Sequence, residues 1–299
     1  MKTIVIAGGT GFLGQSLEKY FSKIDYDIKI LTRNPKNSNH IYWDAKSLDK
    51  WTNSLEKADV LLNLTGKSVD CRYTTENKKL IYDSRINSTT ILGKAVQQCE
   101  QPPKLWMNAS TATIYKYSLD KEMTELEGKF GDDFSMNIAK SWEQSFTEID
   151  TPNTRKIILR TSIVLGKNGG AFIPLKTLTK LGMGGKQGSG KQKVSFIHEL
   201  DFVRAVEFLI QNKTLNGAFN ITVPKPTNNN HLMKIFRKEI GIPFGIPQPE
   251  WILKIGAKII GTETELVLKS RNVIPQRLLN EGFQFNYPTI EKTIKNLIN

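Results

Sequence analysis

The stretch Gly8-Gly9-Thr10-Gly11-Phe12-Leu13-Gly14 follows directly on the apolar run Thr3-Ile4-Val5-Ile6-Ala7. The chain therefore opens with a buried strand, a glycine turn and the start of a helix. Glycines at 8, 11 and 14 suit a tight turn, a backbone close enough for its N–H groups to meet a pyrophosphate, and tight packing of helix on strand. Phosphates would then lie at a helix N-terminus, where free amides and the helix dipole favour negative charge. Leu13, Leu17, Tyr20 and Phe21 supply the apolar face of the helix that must follow. The stretch reads as the entrance to a dinucleotide fold, with Gly8, Thr10, Gly11, Phe12, Leu13 and Gly14 lining the cofactor. An ordinary strand-helix turn is the other reading.

Strand-like runs recur at 3–7, 28–32, 39–43, 59–64, 104–109 and 156–165, with amphipathic stretches between them. That alternation predicts an α/β fold of Rossmann type, a doubly wound parallel sheet with helices on both faces. The clearest helix covers residues 74–98, where Leu80, Ile81, Ile86, Ile91, Leu92 and Val96 recur at helical spacing. After about residue 166 the chain turns rich in Gly and Lys, then in short helical pieces punctuated by proline. We expect a cofactor-binding domain over 1–166, to which the chain returns around 194–222, and a smaller α-rich C-terminal lobe over 167–299.

The 299 residues carry 42 Lys and Arg against 29 Asp and Glu, a net charge of +13, which suits a nucleic acid, an acidic membrane surface or a small anion. Residues 151–198 contain no acid but hold Arg155, Lys156, Arg160, Lys167, Lys176, Lys180, Lys186, Lys191 and Lys193. No dense basic run with interleaved aromatics occurs, so the charge points to an anionic small molecule and not to nucleic acid. No apolar run approaches the length of a membrane span and no signal peptide fits, so a cytoplasmic protein without a membrane partner is expected. Cys71 and Cys99 form no metal-type cluster, and three histidines give no credible metal site.

Where an NAD-specific site places an acid after the second strand, this chain reads Thr32-Arg33-Asn34. A guanidinium there makes a forked contact with a 2′-phosphate, and Thr32 adds a hydroxyl, so NADP(H) is favoured over NAD(H). A solvated loop arginine is the alternative. Asp44, after the third strand, fits either the adenine amine or a helix cap. Leu64, Thr65 and Gly66, at the end of the fourth strand, would bring smooth backbone against the cofactor ribose. The Gly-rich stretch 182–190, with Lys186 and Lys191, reads as a mobile lid or as a wrap for a substrate phosphate. His198 and Asp201 read chiefly as a loop anchor with favourable charge at a helix start.

The strings GGTGFLG, LTRNP, YWD and NLTG, in this order, resemble the extended short-chain dehydrogenase/reductase superfamily, the fold of sugar-nucleotide epimerases. CRYT (71–74), DSRINST (83–89), RTSIVLGKNGGAF (160–172), IHELD (197–201), GAFNITVPKP (217–226) and VIPQRLLNEGFQFNYP (273–288) resemble its atypical epimerase-like branch, which carries a C-terminal module of unknown function. The resemblance covers nearly the whole chain and implies that Arg85 and Val164 lie against bound NADP. Extended-type enzymes use a Tyr-x-x-x-Lys pair, in which lysine eases the tyrosine proton; here Met136 stands four residues before Lys140, so the pair is absent, as it tends to be in the branch the chain resembles. Ser110 and Tyr115, after the fifth strand, fall where relatives place a catalytic hydroxyl and an aromatic. Tyr115 is the expected substitute acid/base, with Ser110 and Lys140 beside it; a buried tyrosine with a satisfied hydroxyl is the other reading.

Together these features predict an NADP(H)-dependent epimerase or oxidoreductase of an anionic small molecule such as a nucleotide sugar, acting as a monomer or homodimer. A non-catalytic NADPH-binding regulatory or partner-binding protein, in keeping with a cell-division-inhibitor label in the branch, is the alternative that Met136 favours.

Overall fold

The run Lys2–Ala7 forms strand β1, whose residues from Ile4 to Ala7 are buried on both faces, as a strand between two helical layers must be. In the computed structural model, which describes all 299 residues save the side chains of Ile260 and Leu266, α1 (Phe12–Phe21) comes next. Then follow β2 (Tyr26–Thr32), β3 (His40–Tyr42), β4 (Val60–Asn63), α2 (Thr75–Gln98), β5 (Leu105–Thr111), α3 (Phe134–Thr147) and β6 (Arg155–Thr161). The middle of the chain holds β7 (Ile163–Gly166), β8 (Gly169–Gly170), α4 (Phe172–Lys180), β9 (Lys193–Val194), β10 (Phe196–His198), α5 (Glu199–Gln211), β11 (Gly217–Ile221) and β12 (Thr227–Asn228). Helices α6 (Asn229–Ile240), α7 (Glu250–Ile260), α8 (Glu265–Leu268), α9 (Gln276–Asn280) and α10 (Ile290–Ile298) complete it.

Seven strands pair in the order β11-β6-β5-β4-β1-β2-β3, and every pair is parallel. The strand order reverses between β1 and β4, and in such sheets ligands bind at the carboxyl edge of that reversal. Register brings the site to one level, because Ala7 pairs with both Leu31 and Asn63. Gly8, Thr32 and Leu64 therefore leave the sheet side by side.

Period-two alternation sends Ile4 and Ile6 into one layer with Leu17, Ile30, Phe202 and Leu209, while Val5 and Ala7 enter the other with Leu92, Trp106 and Phe146. A third cluster of Phe172, Leu232, Phe236 and Ile294 holds the C-terminal helices.

The expected strand 156–165 divides. Ser162 donates both its amide and its hydroxyl to the Ile221 carbonyl, at 3.1 and 3.2 Å, and the chain then leaves the main sheet. Its continuation, β7, pairs instead with β10 and β8. The edge of β6 is covered by β11, a strand supplied from nearly sixty residues further along.

Candidate functional site

The glycine turn is built as tightly as its composition suggests. Gly8 has φ +74°, and a Cβ on it would stand 3.0 Å from Thr65 Oγ1. At Gly14 a Cβ would meet the Gly9 carbonyl oxygen at 2.1 Å, so only glycine lets α1 begin there. Gly11 differs, since the nearest atom to its Cβ position is 4.0 Å away. It caps α1 without a side-chain hydrogen bond, which leaves the first amides of the helix open to a ligand. Phe12 is fixed from beyond the turn, because a Cβ on Gly166 or Gly169 would stand 2.3 or 2.4 Å from its ring. Leu13 is half-buried against the sheet core.

Beside the turn, a groove of about 400 Å³ is lined by Thr10, Gln15, Thr32, Asn34, Lys36 and His40, among others. Thr32 is buried and its Oγ1 accepts from the Asn34 amide at 3.2 Å. Arg33 is exposed, and among the described residues none holds its guanidinium. Asp44 binds its own turn, accepting from the Lys46 and Ser47 amides at 2.8 and 3.0 Å. Those bonds hold its carboxyl below the usual carboxylate range.

Leu64 donates its amide to the Ala7 carbonyl at 2.9 Å. Thr65 Oγ1 is buried next to Gly8 with no partner. Gly66 is exposed, and a Cβ there would stand 3.1 Å from Arg85 Cζ. Arg85 donates to the carbonyls of Lys67 and Ile81 and lies 5.0 Å from the Trp142 ring centroid. With no carboxylate beside it, burial brings its pKa down to about 10. Val164 is buried in the core beneath the turn.

An open helix start, an orphaned hydroxyl and a free guanidinium, all on one level of the sheet edge, fit the pyrophosphate and 2′-phosphate of a dinucleotide. Among the described residues no cluster of three or more potential metal ligands occurs.

The residues singled out for catalysis are placed otherwise. Tyr115 is fully buried; its hydroxyl accepts from Arg160 Nη1 at 2.7 Å and donates to Asn220 Oδ1 at 2.9 Å. Burial pushes the phenol pKa up. Ser110 is buried and donates to Glu143 Oε1 at 2.6 Å, and Glu143 also takes a forked pair of bonds from Arg160 at 2.9 and 2.7 Å. This is the satisfied buried phenol, the other reading of Tyr115, and it ties β5, α3, β6 and β11 together. Lys140 turns outward to exposed Asp132 at 2.9 Å. Met136 is 1% exposed, packed beneath Gly131.

Sequence reasoning did not single out the two threonines that follow Ser110. Thr111 and Thr113 are half-exposed at the end of β5, their hydroxyls 3.0 Å apart. His198 is an anchor, accepting from the Leu200 amide at 2.9 Å, paired with Asn296 and stacked 3.9 Å from Tyr287. Asp201 accepts from the Asn286 and Tyr287 amides at 2.9 and 2.7 Å.

This fold and site define a dinucleotide-binding α/β protein, and the chain belongs to the NAD dependent epimerase/dehydratase family, whose profile matches residues 4–222. Residues 248–297 match a domain of unknown function (DUF1731). The chain is 31% identical over 301 residues to the epimerase family protein YfhF of Bacillus subtilis, covering 99% of this chain and 97% of that one. It is similar in structure to the human epimerase family protein SDR39U1, solved with NADPH, with a TM-score of 0.90, 27% identity and 99% of each chain covered. A nucleoside-diphosphate sugar epimerase from Corynebacterium glutamicum superposes with a TM-score of 0.82 at 26% identity, over 99% of this chain and 58% of that one.

Proposed function

We propose that this chain is an NADP(H)-dependent epimerase or oxidoreductase acting on an anionic small molecule, a nucleotide-linked sugar by preference. The observation that carries the cofactor reading is the unpartnered Arg33 guanidinium beside Thr32, on the same edge as the open start of α1. A related structure solved with NADPH and another described as a nucleoside-diphosphate sugar epimerase support it.

Bound NADP(H) would give or take a hydride at a substrate carbon. In this reading Gly8, Thr10, Gly11, Phe12, Leu13 and Gly14 hold the pyrophosphate, Thr32 and Arg33 the 2′-phosphate, and Leu64, Thr65 and Gly66 the ribose, with Arg85 and Val164 at its far end. Asp44 stands near the adenine. In this reading residues 1–166, with the chain returning around 194–222, form the cofactor domain, and the remainder of 167–299 the lobe that covers the substrate. We give Ser110, Tyr115 and Lys140 structural roles and offer Thr111 and Thr113, half-exposed after β5, as the candidate hydroxyls in their place. Two free cysteines, Cys71 and Cys99, suit a cytoplasmic protein.

A non-catalytic NADPH-binding protein is the second reading, favoured by the buried Met136. Two assays together distinguish the readings: loss of NADPH absorbance with nucleotide-linked keto sugars reports net reduction, and interconversion of nucleotide-sugar epimers, which returns the hydride and leaves the absorbance unchanged, reports epimerisation. Either supports the enzyme; NADPH binding with neither supports the second reading.

A further inference from the structure

Helix α7 is largely apolar in sequence, EWILKIGAKII, yet among its described residues only Ala257 is buried. Trp251, Ile255 and Ile259 recur every four residues and form one stripe along the helix. Lys254 and Lys258, both exposed, run beside that stripe. The strap 244–248 that leads into α7 lies along the glycine-rich loop after α4. Ile246 donates its amide to the Gly182 carbonyl at 2.9 Å, and Gln248 donates its own to that of Lys186 at 2.8 Å. A Cβ on Gly182 would stand 3.2 Å from the Phe244 ring. Leu181, Phe244, Ile246 and the three stripe residues are each between 54 and 79% exposed. One such side chain on a surface is ordinary, but a set of six on one lobe marks an interaction face. The far end of α7 is pinned as well, since Arg72 donates to the Thr262 carbonyl at 3.0 Å and pairs with Glu263 at 3.3 Å.

The charge around this face has one sign. Lys176, Lys180 and Lys186 lie on the α4 side, and no acid occurs over residues 151–198 or 240–249. Glu250, the one acid of α7, is already paired with Lys254 at 2.9 Å. A second copy would bring two molecules of charge +13 together at lysine-rich faces. A protein segment docks in a groove, whereas these side chains stand out from a helix and a strap. Protruding Trp, Ile, Phe and Leu beside lysines suit the boundary of a bilayer, where apolar groups enter between headgroups and ammonium groups meet anionic lipid. Among the described residues no helix is long and apolar enough to cross a membrane, and a contact on the surface needs none.

We propose that this face of the C-terminal lobe docks on an anionic phospholipid surface, with Trp251, Ile255 and Ile259 entering the headgroup layer and Lys254 and Lys258 meeting the lipid phosphates. The inference goes beyond the cofactor reading and stands independently of it.

The test mixes the full chain with vesicles of phosphatidylcholine alone or of phosphatidylcholine with phosphatidylglycerol, and reads co-sedimentation and tryptophan emission. Binding to the anionic vesicles is expected, with a blue shift that reports Trp251, because Trp43, Trp51, Trp106 and Trp142 are buried. The triple variant Trp251→Ser, Ile255→Ser, Ile259→Ser should weaken binding at least about 10-fold while its unfolding midpoint stays near wild type. Lys254→Ala and Lys258→Ala, which leave the stripe intact, should each weaken it about 5-fold. The proposal is overturned if the anionic vesicles do not bind, if they bind no better than neutral ones, or if the variants bind like wild type. A concentration-dependent dimer that the triple variant abolishes, or a preference for an amphipathic glutamate-rich peptide over the vesicles, would also overturn it. Those results would assign the face to a second copy of the chain or to an acidic protein.

Discussion

Tyr115 illustrates how far one residue's role depends on partners distant in the chain. Its hydroxyl joins Arg160, 45 positions on, to Asn220, 105 positions on. A sequence reader sees a tyrosine after a strand end in a dinucleotide fold and gives it a proton to move, because neither partner is within local view. Strand alternation carried the missing signal at Ser110, since it faces α3 while its neighbour Thr111 reaches the half-exposed end of β5. Tyr115→Phe should leave dinucleotide binding unchanged and lower stability by about 1–3 kcal/mol, because Arg160 Nη1 and Asn220 Oδ1 lose a buried partner. Denaturant unfolding with an NADPH titration measures both. A variant as stable as wild type would remove this network from the account. The glycines were legible for the opposite reason: Gly14 is crowded by Gly9 within its own turn, and Gly8 adopts a positive φ there.

Among the elements, α1 and its turn behave as one unit. Gly14→Ala would drive a Cβ into the Gly9 carbonyl, so a loss of about 3 kcal/mol or more is expected together with loss of dinucleotide binding. Gly66→Ala should be far milder, since Arg85 is a side chain that can yield. Unfolding of both variants in denaturant checks the order; equal losses would contradict it. At the start of α5, burial lowers the His198 pKa from its ordinary 6.5, with Asn296, Asp201 and Glu199 opposing the shift. The folded state thus favours the neutral ring, and its contribution to stability is present above about pH 6.5 and is lost as pH falls below it. His198→Asn, which keeps a capping acceptor, should flatten the fall in unfolding midpoint between pH 7 and pH 5. An unchanged slope would assign that fall to other groups. The division of the expected strand 156–165 was not legible, because the carbonyl that turns Ser162 out of the sheet belongs to Ile221.

At the scale of the whole molecule, a doubly wound parallel sheet followed from periodicity, while the strand order and the register that brings Gly8, Thr32 and Leu64 to one edge came from the structure. The C-terminal lobe was legible as a change in composition and as a resemblance carried by residues 273–288, not as a set of contacts. Its contacts with the cleft, such as Glu263 with Tyr73 and Lys269 with Asp133, span well over a hundred residues and leave no local pattern. The central claim, that this edge holds a 2′-phosphorylated dinucleotide, is tested most directly by the unfolding midpoint with NADPH, NADP, NADH and NAD in turn, for wild type and Arg33→Ala. Ligand at about 100 times its dissociation constant stabilises by roughly 2.7 kcal/mol, which is resolvable in such a measurement. The account predicts a larger rise with the phosphorylated pair and a preference erased in Arg33→Ala. Equal rises with all four, or none with any, would contradict it.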